Sequence, residues 1–256
     1  MEFETKNKDR KKNKSVLLFS GGMDSLIFNY LLKPDILLHF NYGGKAYGDI
    51  EKRKLQQLVD KKIIDKNKLI EKDLGNWLGD LERDDLILPS RNSYFVIYAA
   101  NFGETIYLGS IFGDRSTDKD KEFYERTEGL LNHMYEESHW CEGRKFNVTS
   151  PFKDLTKTEL IKKFLDKKGE PQWLLDSYSC YSGGEIPCSE CKPCYRKAVS
   201  LFNNNINING YFNLEKLKNN KEILNLKNEI IKGKYRGRED KEICNFMEWK
   251  FIGDNK

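Results

Sequence analysis

Six residues near the start of the chain, Ser20-Gly21-Gly22-Met23-Asp24-Ser25, carry the clearest chemistry. A compact apolar run, Ser15-Val16-Leu17-Leu18-Phe19, precedes them, and Leu26, Ile27, Tyr30 and Leu31 follow at helical spacing. That order predicts a buried strand, a glycine turn and the start of a helix. Paired glycines let backbone approach a ligand with no Cβ in the way. The first-turn N–H groups and the helix dipole then favour a phosphate or pyrophosphate in the turn. The bland alternative is a plain turn in which Asp24 and Ser25 only cap the helix. A second cluster, Cys180, Cys188, Cys191 and Cys194, has the spacing C-x7-C-x2-C-x2-C. Four thiolates suit a tetrahedral ion, and CxxC turns present two sulfurs to one metal. Pro187 and Pro193 stiffen the turns, and Gly183-Gly184 let the chain loop back. Zinc in a structural role is favoured over disulfides or free thiols, with an iron–sulfur cluster as the main competitor. Cys141 and Cys244 have no such context.

The elements that must position these residues can be read from periodicity. The chain has 256 residues, of which 33% are charged and 38% hydrophobic, and a net charge of +4. Those values suit a soluble protein with a sizeable core and make no strong case for nucleic acid. No run approaches the roughly 18 apolar residues that span a membrane. Residues 1–14 are polar and mixed in charge, without the apolar core of a secretory signal, so a flexible lead-in and a cytoplasmic location are expected. Further strands are expected at 36–40, 69–70 and 105–109, and helices at 50–64, 92–102, 123–137 and 157–168. The last helix is announced by a capping-box pair, Thr156 and Glu159. Such alternation predicts an α/β fold, a parallel sheet with helices on both faces, with ligands at the C-terminal ends of the strands. The expected divisions are the lead-in, an α/β nucleotide-binding domain at 15–175, a metal-binding segment at 176–203 and a helical C-terminal extension at 204–256. The extension loses its pattern around 233–240. His39, His133 and His139 show no metal spacing, and His39 is expected to pack in or beside the sheet.

Ser20 to Ser25 resembles the PP-loop signature of the ATP pyrophosphatases, not a Walker A loop, whose GxxxxGK[ST] spacing is absent. With the cysteine cluster it resembles the 7-cyano-7-deazaguanine synthases of queuosine-type biosynthesis. Other motifs agree. Leu88-Pro89-Ser90-Arg91-Asn92 resembles the family's Val-Pro-Gly-Arg-Asn, with Ser90 in place of Gly. Asn41-Tyr42-Gly43 resembles its Asp-Tyr-Gly, and Pro151-Phe152 with Leu155-Thr156-Lys157 its Pro-Leu and Leu-x-Lys before a helix. Ser179-Cys180-Tyr181 and Cys188 to Cys194 with Tyr195-Arg196 resemble its zinc segment. The resemblance covers roughly residues 15 to 203. It departs at 114–121, where Asp114, Ser116 and Asp120 match but the family's aromatics, proline and cysteine are gone. Gly44-Lys45-Ala46 replaces the family's Gln-Arg-His, and the tail is long.

The resemblance implies a five-stranded PP-loop fold, a homodimer, and a ligase that uses ATP, Mg2+ and Zn2+. The substrate would be 7-carboxy-7-deazaguanine, activated as an acyl adenylate with release of pyrophosphate. Ammonia would then displace AMP to give the amide, and a second activation would give the nitrile. Ser20, Gly21, Gly22, Met23, Asp24, Ser25, Phe40 and Tyr42 would bind ATP. Asp24, Arg91 and Lys157 would be catalytic, with Asp24 on Mg2+ and the two cations facing developing negative charge. Arg91, Asn92, Asp114, Ser116 and Asp120 would bind the deazaguanine. Cys180, Cys188, Cys191 and Cys194 would hold the metal. Some relatives sit in phage-defence gene clusters, so a paralogue joining the activated acid to a protein amine is one alternative. A catalytically silent, zinc-stabilised nucleotide-binding module is another, and a tRNA-modifying thiolase or lysidine-type ligase is less suited to the charge pattern.

Overall fold

The computed structural model describes residues 13–41, 48–74, 76–84, 88–114, 116–139 and 142–253. The elements run β1 (Ser15–Leu18), α1 (Met23–Leu32), β2 (Ile36–Asn41), α2 (Gly48–Asp60), β3 (Leu69–Asp73), α3 (Asn76–Gly79), α4 (Arg91–Ala99) and β4 (Thr105–Tyr107). Then follow α5 (Lys121–Met134), β5 (Asn147–Thr149), α6 (Lys157–Asp166), α7 (Pro171–Asp176) and α8 (Lys192–Phe202). The tail forms α9 (Leu214–Lys218), α10 (Lys221–Asn225), α11 (Lys227–Ile231) and α12 (Arg238–Met247).

The five strands make one all-parallel sheet in the order β3-β2-β1-β4-β5. The order reverses between β1 and β4, and this reversal opens a crevice at their C-terminal ends. Strand side chains alternate between two cores. Leu17 and Leu37 face α1, α2, α6 and α8, whereas Val16, Ile36, Leu38, Ile106 and Val148 face α4 and α5. Both faces are therefore buried, which is why the runs read as continuously apolar. The C-terminal helices join the first of these cores through Leu217, Ile223, Ile230, Ile243 and Phe246.

Local chemistry sets the helix ends. Thr156 accepts from the Glu159 N–H and the Glu159 carboxylate accepts from the Thr156 N–H, a complete capping box. Pro171 occupies the first turn of α7, and Pro193 that of α8, where no amide donor is needed. The expected helix 50–64 ends at Asp60 because Lys62 turns left-handed, with φ 56°. The strand at β5 has no apolar run to mark it, since only Val148 of its three residues is buried. The unpatterned stretch 233–240 contains a turn that leads directly into α12. Gly233 and Gly237 take φ of 72° and 62°, and the Asp240 carboxylate accepts from the Tyr235 and Arg236 N–H groups at 2.9 Å. Among the described residues no helix is long and apolar enough to cross a membrane.

His39 is packed into β2, 4% exposed, with Nδ1 3.0 Å from the Phe19 carbonyl. Burial lowers its pKa from 6.5, although the Phe19 carbonyl and Glu71 work the other way. The unfolded chain therefore takes up a proton that the folded chain resists. Stability falls as the pH drops below about 6.5. In His39→Gln that part of the loss disappears, and paired thermal melts on either side of this pH read it.

Candidate active site

The glycine turn sits at the mouth of the crevice. Gly21 takes φ 75°, and Gly22 ends the turn as the N-cap of α1. The first intrahelical bond runs from Leu26 N–H to the Gly22 carbonyl. The N–H groups of Met23, Asp24 and Ser25 thus have no acceptor one turn earlier and face outward. Ser20 Oγ lies 3.3 Å from Ser25 Oγ and accepts from the Gly22 N–H, while Ser25 donates to the Gly22 carbonyl at 3.0 Å. A Cβ on Gly22 would stand 3.4 Å from the Tyr178 carbonyl and 3.2 Å from Ser20 Oγ. The turn is therefore packed against the segment that leads to the cysteines.

A cavity of about 440 Å3 spreads from this turn over the ends of β1, β2 and β4. Ser20, Gly22, Met23, Asp24, Ser25, Phe40, Arg91, Asn92, Asp114 and Lys157 all line it. Residues more than 130 positions apart thus meet in one place. Lys157, in the first turn of α6, contacts both carboxylate oxygens of Asp24, with Oδ2 at 2.5 Å. Phe40 is stacked on Phe95 with ring centroids 4.3 Å apart. Asn92 is 7% exposed and donates to the Asp118 carbonyl at 3.2 Å, tying α4 to the 116–120 loop. Gly21 belongs to the turn without lining the cavity, and Tyr42 lies outside the described residues, as do Gly43 to Ala46, Arg115 and Cys141.

Two expected substrate residues stand away from the cavity. Asp120 is exposed, and its carboxylate caps α5 by accepting from the Phe123 N–H at 2.8 Å. Ser116 is also exposed, and its hydroxyl is turned onto Asp118. Each spends its polar group on local structure. Asp114 is different. Its Oδ1 lies 3.2 Å from Arg196 and its Oδ2 3.4 Å from Lys119. Burial pushes the Asp114 carboxyl up, but Lys119, Arg196 and Lys157 outweigh it and hold the group below the usual carboxylate range.

Several cavity residues carry no assigned role from the sequence. Arg196, Lys119, Lys192, Arg236 and Glu51 all line the wall. Arg196 sat within a quoted motif, directly after Cys194-Tyr195, whereas Arg236 lies in the unpatterned stretch and gave no signal. Arg196 bridges Asp114 and Glu239, at 2.6 Å from the latter, and donates to the Phe112 carbonyl at 3.2 Å. Arg196→Met takes the nearer cation from two little-exposed carboxylates and leaves Asp114 with Lys119 and Glu239 with Arg236, each at 3.4 Å, so it is expected to cost about 1–3 kcal/mol in a urea melt. Glu51 is raised to about 7 by burial, which the Arg91 charge opposes. Among the described residues the wall carries six basic side chains, Arg91, Lys119, Lys157, Lys192, Arg196 and Arg236, against three acidic ones, Asp24, Glu51 and Asp114. Such an excess attracts an anionic ligand such as a polyphosphate.

Ser90 stands where the resembling motif has glycine, and it takes φ 57°, the left-handed region, as it starts α4. Ser90→Gly removes the Cβ clash and is expected to raise stability by about 1 kcal/mol in the same melt.

Cys180, Cys188, Cys191 and Cys194 converge behind the turn, their sulfurs all within 4.8 Å of one another. The Cys188 and Cys194 sulfurs are 4.0 Å apart. Sulfurs at about 2.3 Å from a tetrahedral ion would be about 3.8 Å apart, so the set fits one metal ion. The Cys188 and Ser182 N–H groups point at the Cys180 sulfur, and those of Glu190 and Cys191 at Cys188, which favours thiolates. Cys180 also lines the cavity, so this cluster is one of its walls. No disulfide forms among the described cysteines, and Cys244 is buried in α12.

A five-stranded parallel sheet, a glycine turn at its reversal and a four-cysteine cluster behind that turn together define a PP-loop α/β protein with a cysteine set suited to a metal ion. Known proteins carry the comparison further. The family model described as "Queuosine biosynthesis protein QueC" matches residues 14–205. A 7-cyano-7-deazaguanine synthase of Rickettsia prowazekii is 27% identical over 225 residues, covering 75% of this chain and 96% of the relative. The protein of the same name from Methanosarcina mazei is 23% identical, covering 74% and 94%. That from Nostoc punctiforme is 27% identical over 211 residues, covering 71% and 91%. The chain belongs to the queuosine biosynthesis QueC family.

Proposed function

We propose that this protein is an ATP-dependent ligase that adenylates 7-carboxy-7-deazaguanine and converts it with ammonia to the amide and then to 7-cyano-7-deazaguanine. AMP and pyrophosphate leave at each activation. The single observation that carries the reading is the meeting of the Ser20–Ser25 turn, Arg91, Asp114 and the Asp24–Lys157 pair in one cation-rich cavity. The names of the relatives supply the product, 7-cyano-7-deazaguanine.

The residues suit the chemistry. A carboxylate is a poor electrophile, being anionic and lacking a good leaving group. Its oxygen attacks the α-phosphorus of ATP, the bond to the bridging β-oxygen breaks, and pyrophosphate departs with the electron pair. The N–H groups of Met23, Asp24 and Ser25 would hold that pyrophosphate, with the Ser20 and Ser25 hydroxyls beside it. Phe40 would pack against the nucleoside, and Arg91 and Lys157 would offset the charge that grows between the phosphates. Asp24 would hold Mg2+, which would neutralise phosphate charge when bound. Asp114, kept ionised by its three cations, would accept hydrogen bonds from the guanine-like edge with Asn92 nearby. The four cysteines would hold zinc as a structural ion, since a closed set of four thiolates leaves no open position for chemistry.

The test is a product analysis with ATP, Mg2+, 7-carboxy-7-deazaguanine and ammonia. AMP, pyrophosphate and a nitrile or amide are expected by mass spectrometry. ADP, or no turnover with the acid, rejects the reading. Nucleotide binding without turnover would instead favour the silent module. The departures at 114–121 favour one variant, a protein amine as acceptor. Intact-mass analysis of proteins encoded beside this gene would show the added deazaguanine. A homodimer is expected in light scattering.

A further inference from the structure

The family match ends at residue 205. The three relatives named above are covered over at least 91% of their own lengths by at most 75% of this chain. The segment after 205 is thus an addition to what they share. One of its residues, Arg236, nevertheless lines the reaction cavity.

The turn that carries Arg236 is fastened to the cavity wall. The Asp240 carboxylate, fully buried, fixes its backbone by accepting from the Tyr235 and Arg236 N–H groups. A Cβ on Gly237 would stand 3.3 Å from the Phe112 ring, and one on Gly113 would stand 2.8 Å from the Glu239 carboxylate. Arg238 lies over Phe112, 4.7 Å from its centroid, and reaches Glu159 of α6 at 2.9 Å. The turn therefore presses on Phe112 and Gly113, immediately before the stretch 114–121 where the chain leaves the family pattern.

This packing uses only one end of the Arg236 guanidinium. Nη1 donates to the Gly113 carbonyl at 2.9 Å and stands 3.4 Å from Glu239. Glu239 is already engaged by Arg196 at 2.6 Å. The other edge, Nε and Nη2, donates to no group among the described residues and is not fully buried. The side chain is only 11% exposed. A guanidinium edge left open in so dry a place favours an anionic acceptor.

We propose that Arg236 is a substrate-binding residue supplied by the C-terminal extension, and that its open edge takes the carboxylate of the acid together with the ring carbonyl beside it. The proposal rests on the acid-activation reading above. In 7-carboxy-7-deazaguanine a carbon replaces the ring nitrogen at position 7, and the carboxylate it bears stands next to the O6 carbonyl. That edge offers acceptors only, and the guanidinium fork offers donors only. Arginine reads the corresponding edge of guanine in the same way. The opposite edge of the base offers N–H donors, which suits the ionised Asp114. Arg236 is bonded to the Gly113 carbonyl, so the donor fork and the Asp114 acceptor are anchored at consecutive residues. One carboxylate oxygen held by the fork leaves the other free to attack the α-phosphorus.

The test titrates the native protein, Arg236→Gln and Arg236→Lys by calorimetry with 7-carboxy-7-deazaguanine, with its uncharged 7-amide and with ATP. Glutamine keeps a donor for the Gly113 carbonyl, and lysine keeps the charge without the fork. Affinity for the acid falls about tenfold or more in Arg236→Gln, the factor that one lost charge-assisted hydrogen bond is worth, and by less in Arg236→Lys. Affinity for the amide falls less than that for the acid, and affinity for ATP stays native. Parallel melts identify the folded variants, and Arg236→Lys answers where Arg236→Gln folds poorly. Native acid affinity in a folded variant, a loss confined to ATP, or an equal loss for all three ligands overturns the proposal. Acid-driven exchange of labelled pyrophosphate into ATP checks the activation reading separately. A native protein that binds the acid through Arg236 without such exchange overturns that reading alone, and one that binds no acid overturns both.

Discussion

Lys157→Met is expected to lower kcat for AMP formation by about 10²- to 10³-fold, the loss seen when one preorganised charge donor leaves a reaction site. The lysine reaches the cavity from the first turn of α6 and contacts Asp24, which stands in the first turn of α1. Its side chain is only 11% exposed. In that dry setting an ammonium offsets phosphate charge far better than it would in water. The substitution leaves the α6 capping box intact, because Thr156 and Glu159 supply it without Lys157. The variant should therefore fold. It does leave Asp24 without its cation, so Asp24→Asn and the double variant belong in the same series. If the pair works as a unit, the double variant is little worse than either single one. Steady-state kinetics with a parallel melt decide the matter, and native turnover by a folded Lys157→Met would remove the lysine from the mechanism.

Cys191→Ser, or exhaustive chelation, is expected to remove one zinc per chain and most of the net stability, which for a domain is about 5–15 kcal/mol in all. The large size follows from where the cluster stands. Cys180 and Cys194 are 3% and 2% exposed and belong to the same core as Leu17, Phe19 and Met23. Without the ion four sulfurs within 4.8 Å of one another would repel as thiolates or stay buried as poorly paired thiols. The segment also backs the glycine turn, since the Tyr178 carbonyl stands 3.4 Å from where a Gly22 Cβ would be. Nucleotide affinity should therefore fall along with the melting temperature. Elemental analysis, calorimetry and ATP titration on the same samples test this. A metal-free preparation that melts and binds as the native protein does would show that the thiols stand alone.

Some of the cavity was legible and some was not, for reasons visible in particular residues. The turn at Ser20 to Ser25 is contiguous, so its chemistry lies in the order of its residues. The cysteine spacing is nearly as local. Arg91, Asn92 and Lys157 emerged only through short motifs matched to a family, because nothing in their own neighbourhoods marks them. Asp120 and Ser116 show the limit of that matching. A residue type can persist while its polar group serves a helix cap or a neighbouring carboxylate. Arg236 and Glu239 could not have been found at all, since their place depends on how α12 docks against α8.

The amino-acid sequence by itself determined the alternation of strands and helices, the glycine turn after the first strand and the four-thiol set. Those features depend on periodicity, turn chemistry and short spacings, which act within about a dozen residues. Only the tertiary structure decided which distant charges share a wall. It put Lys157 on Asp24, and Arg196 between Asp114 and Glu239. Pairings of that kind are set by the packing of whole elements against one sheet, and packing has no period along the chain.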